Sequence, residues 1–193
     1  MKVGAIILAG GLSRRMGRNK LLEQISGKPM LLHVVDAIAE AGFDPPMIAL
    51  GHEASEISRI LGKDSYQPVI VDDFSKGIAH SLRATIKEIP ASWDAVFICL
   101  GDMPWVSATL LRSMAAVAET DRILIPTSGG RRGNPVLWGR AFFGELQSLI
   151  GDFGGKQLFA HFEDTIVEFE TSDLAIHRDI DTISQLEEFA AKG

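Results

Sequence analysis

The chain has 193 residues, 46% of them hydrophobic and 23% charged, which is the composition of a globular protein that can bury a core. Its 25 acidic and 19 basic side chains leave a formal net charge of −6, so we expect neither nucleic acid nor a membrane surface as a partner. A single cysteine and the lack of any apolar run of ~20 residues favour one cytoplasmic domain over residues 1–193.

Short aliphatic runs alternate with segments of helical spacing along most of the chain. The runs predict buried strands at Val3–Leu8, Met47–Leu50, Pro68–Val71, Ala95–Leu100, Ile123–Pro126, Pro135–Trp138 and Ile166–Phe169. Helical spacing lies at Leu31–Ile38, Ile57–Leu61, Ile78–Ile86, Leu110–Val117 and about Ala141–Leu149, and Thr182 with Gln185 predicts the cap of a last helix. This alternation predicts an α/β fold, with a mostly parallel, Rossmann-like sheet in a single three-layer α/β/α domain.

Glycines and basic residues fill the loop that follows the first strand. Gly10 and Gly11 permit a tight turn and let a ligand approach backbone N–H groups. Four positive charges follow within seven positions, at Arg14, Arg15, Arg18 and Lys20. Loops at the carboxyl ends of parallel strands are where open α/β sheets bind ligands. The pattern therefore predicts an anion site here, and the alternative is a solvated basic loop.

Two familiar phosphate-binding motifs are excluded by spacing. A Walker A loop needs four residues between its first Gly and its Gly-Lys pair, whereas five separate Gly11 from Gly17 and two more precede Lys20. No window supplies the Gly-x-Gly-x-x-Gly of a dinucleotide-binding turn. A P-loop ATPase and a dehydrogenase therefore both lose their main support.

The loop sequence does resemble that of one enzyme family. It reads Leu8-Ala9-Gly10-Gly11-x-Ser13-x-Arg15-Met16-Gly17-x-x-Lys20, and similar segments continue in order at 77–82, 101–104, 133–136, 151–154 and 179–182. These segments resemble the nucleotidyltransferases that attach CMP or GMP to molybdopterin, and most closely the molybdenum cofactor cytidylyltransferase branch. The resemblance covers nearly the whole chain and implies a fold of the nucleotide-diphospho-sugar transferase type.

The resemblance implies a role for the loop and for the segment before the third helix. In that family the loop wraps the triphosphate, which implies catalytic phosphate contacts for Arg15 and Lys20. The segment from Gly77 to Leu82 matches a loop that contacts the base and ribose, although Ser81 could equally be a plain helix residue. The nucleotide-binding residues implied in this way are Leu8, Ala9, Gly10, Gly11, Ser13, Arg14, Gly17, Gly77 and Ser81.

Acidic residues stand at two places where they could meet the loop. Asp102 follows a predicted strand, and Asp179 and Asp181 alternate around Ile180, so both carboxylates can point to one side. Carboxylate oxygens suit magnesium, and the resemblance implies Asp102, as a catalytic residue, and Asp181 as its ligands. Each has an alternative as a helix cap, Asp102 near Ser107 and Asp181 beside Thr182.

The acceptor side is less marked in the sequence. The resemblance places it at Asn134, Asp152, Lys156 and Asp179. Many relatives have His where this chain has Asn134, which leaves the acceptor open.

The residues and the resemblance together predict a magnesium-dependent nucleotidyltransferase. It would move CMP from CTP to the terminal phosphate of molybdopterin and release pyrophosphate. A phosphomonoester has a second pKa near ~6 and is largely ionised at neutral pH, so no histidine base is needed. Three alternatives stay open: GTP as donor, a sugar or polyol phosphate as acceptor, and a nucleotide-binding protein without turnover.

Overall fold

Eight strands form the main sheet of the computed structural model, which describes residues 1–9, 19–51, 53–62, 64–72, 77–151, 154–182 and 184–186. They are β1 (Val3–Leu8), β4 (Met47–Leu50), β5 (Gln67–Ile70), β6 (Ala95–Leu100), β7 (Ile123–Ser128), β8 (Arg131–Arg132), β9 (Val136–Gly139) and β10 (Ile166–Glu170). A separate two-stranded hairpin consists of β2 (Gln24–Ile25) and β3 (Lys28–Pro29). The α-helices are α1 (Met30–Glu40), α2 (Ala54–Ile60), α3 (Ile78–Lys87), α4 (Ala108–Ala116) and α5 (Phe143–Gln147).

The order of the strands places β1 at the centre of the sheet. The order is β10-β7-β9-β6-β1-β4-β5, with β8 paired to β7. Strand β1 is parallel to both neighbours, so that Ile6 lies opposite Met47 on one side and Ile98 on the other. Because the chain continues to opposite sides of β1, a crevice opens at its carboxyl end, where ligands bind in sheets of this kind.

Alternate residues of the central strands pack into two separate cores. Ala5 and Ile7 of β1 belong to the core on the side of α1 and α4. Ile6, together with Ile98 of β6 and Leu82 of α3, belongs to the core on the opposite side. A strand that is covered on both faces needs apolar residues at every position, which is why β1 and β6 are unbroken aliphatic runs. The three-layer, mostly parallel arrangement that the sequence predicted is confirmed.

The structure differs from the sequence prediction mainly after β7. Strand β9 lies between β6 and β7 and is antiparallel to both. The helix expected at about Ala141–Leu149 is a 3-10 turn, Arg140–Phe142, followed by the short α5. The predicted cap at the end of the chain is present, since Thr182 Oγ1 accepts from Gln185 N at 3.2 Å and Gln185 Oε1 accepts from Thr182 N at 2.9 Å.

Among the helices in the described part of the chain, none combines the length and the apolar composition that crossing a bilayer requires.

Candidate active site

The carboxyl ends of β1 and β6 bring the predicted site residues together. Gly101 follows β6 directly, and a Cβ added there would lie 3.2 Å from Leu21 Cδ2 and 3.3 Å from the Leu8 carbonyl oxygen. The lack of a side chain therefore lets the segment after the basic loop pack against the end of β6. That segment is a 3-10 turn, Lys20–Leu22, capped by the buried Asn19, whose side chain accepts from Leu21 N at 3.1 Å. Lys20 is thereby fixed beside Asp102.

Three oxygen atoms of described residues contact the Lys20 ammonium. Its Nζ lies 2.7 Å from Asp102 Oδ2, 2.8 Å from Asp181 Oδ1 and 2.8 Å from the carbonyl oxygen of Ile180. The Lys20 side chain is only 15% exposed, and that of Asp102 is 20% exposed. We call Lys20, Asp102, Asp181 and the Ile180 carbonyl the acid–lysine cluster.

A backbone hydrogen bond explains how two acidic residues far apart in the sequence meet. Ile180 N donates to the Asp102 carbonyl oxygen at 3.1 Å, and the Ile180 side chain is fully buried. Ile180 thus anchors the segment that carries Asp181 to the end of β6.

The capping alternatives for the two acids do not match the geometry. Helix α4 is capped by Ser107, whose hydroxyl accepts from Leu110 N at 3.2 Å. At the end of the chain Thr182 provides the capping hydroxyl, while the carboxylate of Asp181 contacts Lys20. The side chains of Asp102 and Asp181 therefore belong to the acid–lysine cluster.

Burial and charge act against each other in the cluster. Burial raises the pKa of the Asp102 carboxyl, the Lys20 ammonium lowers it by less, and Asp179 adds to the rise. Burial by itself would lower the pKa of Lys20, but Asp102 and Asp181 more than offset this, so the pKa of Lys20 lies above its ordinary value. Lys20 therefore stays charged, and Asp102 carries a desolvation cost that one lysine does not remove.

The second oxygen of Asp102 is the feature that points to a metal. Asp102 Oδ1 is buried and accepts no hydrogen bond from the residues that the structure describes. An unsatisfied buried oxygen of a carboxylate is costly, and a hard divalent cation is one partner that would satisfy it. Within the described ranges, no group of three or more His, Cys, Asp or Glu side chains could hold a metal. Two carboxylates suit magnesium, which keeps several waters and binds phosphates of the substrate as well.

A cavity of about 200 Å³ lies on the α3 side of the sheet, and Leu8 at the end of β1 and Leu100 at the end of β6 both line it. The walls that the described residues form are mainly apolar and aromatic, and Asn134, Lys156 and the indole N–H of Trp138 are the polar groups of their side chains. The lining consists of Leu8, Ile78, Leu82, Ile98, Leu100, Asn134, Val136, Trp138, Gly154, Gly155, Lys156 and Phe159.

A close contact at Gly155 and a backbone hydrogen bond at Asn134 shape the cavity. A Cβ added to Gly155 would lie 2.7 Å from Trp138 Cζ2, so the 3-10 helix Gly154–His161 can lie flat on Trp138 only with glycine at this position. Asn134 N donates to the Ile176 carbonyl oxygen at 2.9 Å, which fixes the start of β9 at the mouth of the cavity.

The predicted residues are distributed over this site unevenly. Asn134, Lys156 and Leu8 line the cavity, whereas Asp179 is close enough to raise the pKa of Asp102 and lies on the acidic side instead. Ser81 is only 3% exposed and does not line the cavity, and Gly77 precedes α3 with a φ of 109°. Ala9 is buried at the end of β1. Seven further predictions lie outside the described residues: Gly10, Gly11, Ser13, Arg14, Arg15, Gly17 and Asp152.

The sequence did not indicate two elements of the site. The Ile180 carbonyl is a backbone group, and no residue pattern identifies it as a partner of Lys20. Trp138 and Phe159 look like ordinary core residues in the sequence, yet their rings stack with centroids 5.7 Å apart and form one wall of the cavity.

The structure superposes closely on several solved structures. The structure of Rv0371c from Mycobacterium tuberculosis H37Rv superposes with a TM-score of 0.90, at 27% identity over 99% of this chain and 98% of that one. A nucleotidyl transferase from Methanothermobacter, Mth528, gives a TM-score of 0.85 at 22% identity over 100% and 99%. A manganese complex of Rv0371c gives a TM-score of 0.79 at 23% identity over the full length of both chains. The fold is that of the nucleotidyltransferases.

Sequence comparison then gives the family. The model of the MobA-like NTP transferase domain matches residues 5–166, and the chain belongs to this family of nucleotidyltransferases. The bifunctional protein GlmU of Agrobacterium fabrum is 33% identical over 151 residues, which are 75% of this chain and 33% of that protein. The chain spans about a third of the length of the curated relatives it matches.

Proposed function

We propose that this protein transfers a nucleoside monophosphate, preferably CMP from CTP, to the terminal phosphate of molybdopterin with release of pyrophosphate. The observation that carries the proposal is the acid–lysine cluster at the carboxyl end of β6, where Asp102 and Asp181 both contact Lys20. The chain keeps the lysine and both acids that the transfer reaction would use. Their presence therefore favours turnover over binding alone.

Each side chain of the cluster has a role in this reaction. The nucleophile is an ionised phosphate that attacks an anionic α-phosphorus, so relief of charge repulsion is the main requirement. Lys20, and Arg15 from the loop, would neutralise the triphosphate and the departing pyrophosphate. Asp102 and Asp181 would hold magnesium, which when bound neutralises phosphate oxygens as a Lewis acid. The manganese in the Rv0371c structure supports a divalent cation in this fold.

The lining of the cavity supports an acceptor with a planar or apolar body. The side chains of the described lining that can form hydrogen bonds are those of Asn134, Trp138 and Lys156, and the other side chains are apolar. Trp138 and Phe159 supply aromatic surface on which a fused ring can pack. Lys156 can meet a phosphate on that acceptor. This favours molybdopterin over a sugar or polyol phosphate, which remains the second candidate because the triphosphate loop suits both.

A panel of donors and acceptors tests the proposal. The protein is first heated with CTP, GTP, ATP or UTP and magnesium, because a nucleotide at 100 times its Kd adds about 2.7 kcal/mol to the free energy of unfolding. Pyrophosphate release is then measured with molybdopterin or with a hexose phosphate as acceptor. We expect release with CTP and molybdopterin, less with GTP, and a product heavier by CMP. Release with the hexose phosphate alone would favour the second candidate, and release with neither would contradict a transferase.

A further inference from the structure

The Lys20 ammonium lies where a cation bound to both acids would have to lie. Its oxygen partners among the described residues come from Asp102, Asp181 and Ile180. They are carboxylate and carbonyl oxygens, which are the hard donors that magnesium and manganese also take. Oxygens of this kind suit either an ammonium or a divalent cation.

The two oxygens of the Asp102 carboxylate differ in what they contact. Its Oδ2 contacts Lys20, and its Oδ1 is buried without a partner in the described residues. A divalent cation that binds Oδ1 would therefore lie close to the ammonium on the other oxygen of the same carboxylate, which repels it. Asp181 is more open, with its side chain 41% exposed, but Asp181 alone is a single surface carboxylate and binds cations weakly.

We infer that Lys20 acts as an internal counter-ion that keeps free divalent metal out of the cluster and leaves it only when a triphosphate gives the ammonium a new partner. The inference rests on the proposed function, because it takes Asp102 and Asp181 as the metal-binding residues. A like-charged ammonium among its ligands repels a divalent cation, and the cation also has to displace it. Lys20 is therefore a positioning residue for the metal in addition to any contact with phosphate.

The consequence is an order of binding. The metal binds weakly to the protein alone and tightly together with the nucleotide, whose phosphates draw Lys20 away and supply further ligands. By thermodynamic linkage the metal raises the affinity for the nucleotide by the same factor. The two acids then bind the metal tightly only when a nucleotide is also bound.

The test measures the affinity of the nucleotide-free protein for Mn²⁺. The electron paramagnetic resonance signal of the free ion reports how much Mn²⁺ remains unbound. We expect Lys20→Met to bind Mn²⁺ about tenfold more tightly than wild type, or better, because the competing charge is gone. The double variant Lys20→Met/Asp102→Asn should lose that gain. Lys28→Met is the matched control, since Lys28 pairs with Asp36 on the surface, and its Mn²⁺ affinity should equal that of wild type.

Circular dichroism and a urea transition show first whether Lys20→Met is folded, and Lys20→Gln takes its place if it is not. An unchanged or weaker Mn²⁺ affinity in the folded variant would overturn the inference, as would a gain that survives Asp102→Asn. The readout needs no turnover. Suppose that Lys20→Met binds Mn²⁺ more tightly but the wild-type protein transfers no nucleotide. That result would support the competition between Lys20 and the metal and would contradict the proposed function.

Discussion

Asp102 is the residue on which the proposed chemistry depends most. We expect Asp102→Asn to keep the fold, because the amide fills the same space and can still accept a hydrogen bond from Lys20. It should lower the transfer rate on the order of 100-fold or more, because it weakens a contribution of several kcal/mol from the metal. Steady-state kinetics of pyrophosphate release check this, with Asp36→Asn on the surface as control. Near-normal turnover of Asp102→Asn would remove Asp102 from the reaction.

Asp181 and Thr182 are neighbours with separable roles. Thr182→Ala removes the capping hydroxyl that accepts from Gln185 N and should cost about 1 kcal/mol of unfolding free energy with little change in rate. Asp181→Asn removes the negative charge that pairs with Lys20. We expect it to lower the transfer rate and to change the free energy of unfolding less than Thr182→Ala does. Urea unfolding and the transfer rate are measured on both variants. The opposite pattern would assign the capping role to Asp181.

Cys99 gives a prediction that concerns the core alone. It is buried in β6, and burial raises the pKa of its thiol to about 12. Because the thiolate is the reactive form, we expect a thiol reagent at pH 8 to modify the native protein no faster than the chain unfolds. Adding urea through the unfolding transition should restore rapid reaction. Fast modification in the native state would show that β6 opens locally.

At the scale of elements, the contact between Trp138 and the 3-10 helix Gly154–His161 shapes the cavity. Gly155→Ala puts a methyl group 2.7 Å from Trp138 Cζ2, so one of the two must move. We expect a loss of about 1–3 kcal/mol of unfolding free energy and a higher KM for the acceptor. Gly144→Ala in α5 is the matched control, because nothing lies within 4 Å of its added Cβ. Equal stability of the two variants in urea would show that the helix can shift freely.

Elements with a local signal were predicted well from the sequence. Strands β1 and β6 are fully buried runs, and α3 shows its apolar face in Leu82 and Ile86, so their type follows from spacing alone. The antiparallel direction of β9 and the hairpin of β2 with β3 were not predicted. Direction and partner depend on contacts far along the chain, and two-residue strands are too short to show a period.

Across the whole molecule, the sequence indicated where the site lies better than how its parts interact. The two acids could be placed at one edge because Asp102 follows a strand and Asp181 alternates with Asp179. That Lys20 would sit between them could not be predicted, since its position depends on the tertiary packing of Leu21 against Gly101. The cavity also escaped prediction, because apolar residues that line a cavity and those that fill a core look alike in a sequence.

Isotopic labelling shows whether the α-phosphorus of the nucleotide moves to the acceptor, as the proposed transfer requires. The protein is incubated with magnesium, molybdopterin and CTP that carries ³²P at either the α or the γ position. We expect the α label to appear on the acceptor and the γ label to leave in pyrophosphate. A γ label on the acceptor, or an α label found only in free CMP, would contradict it.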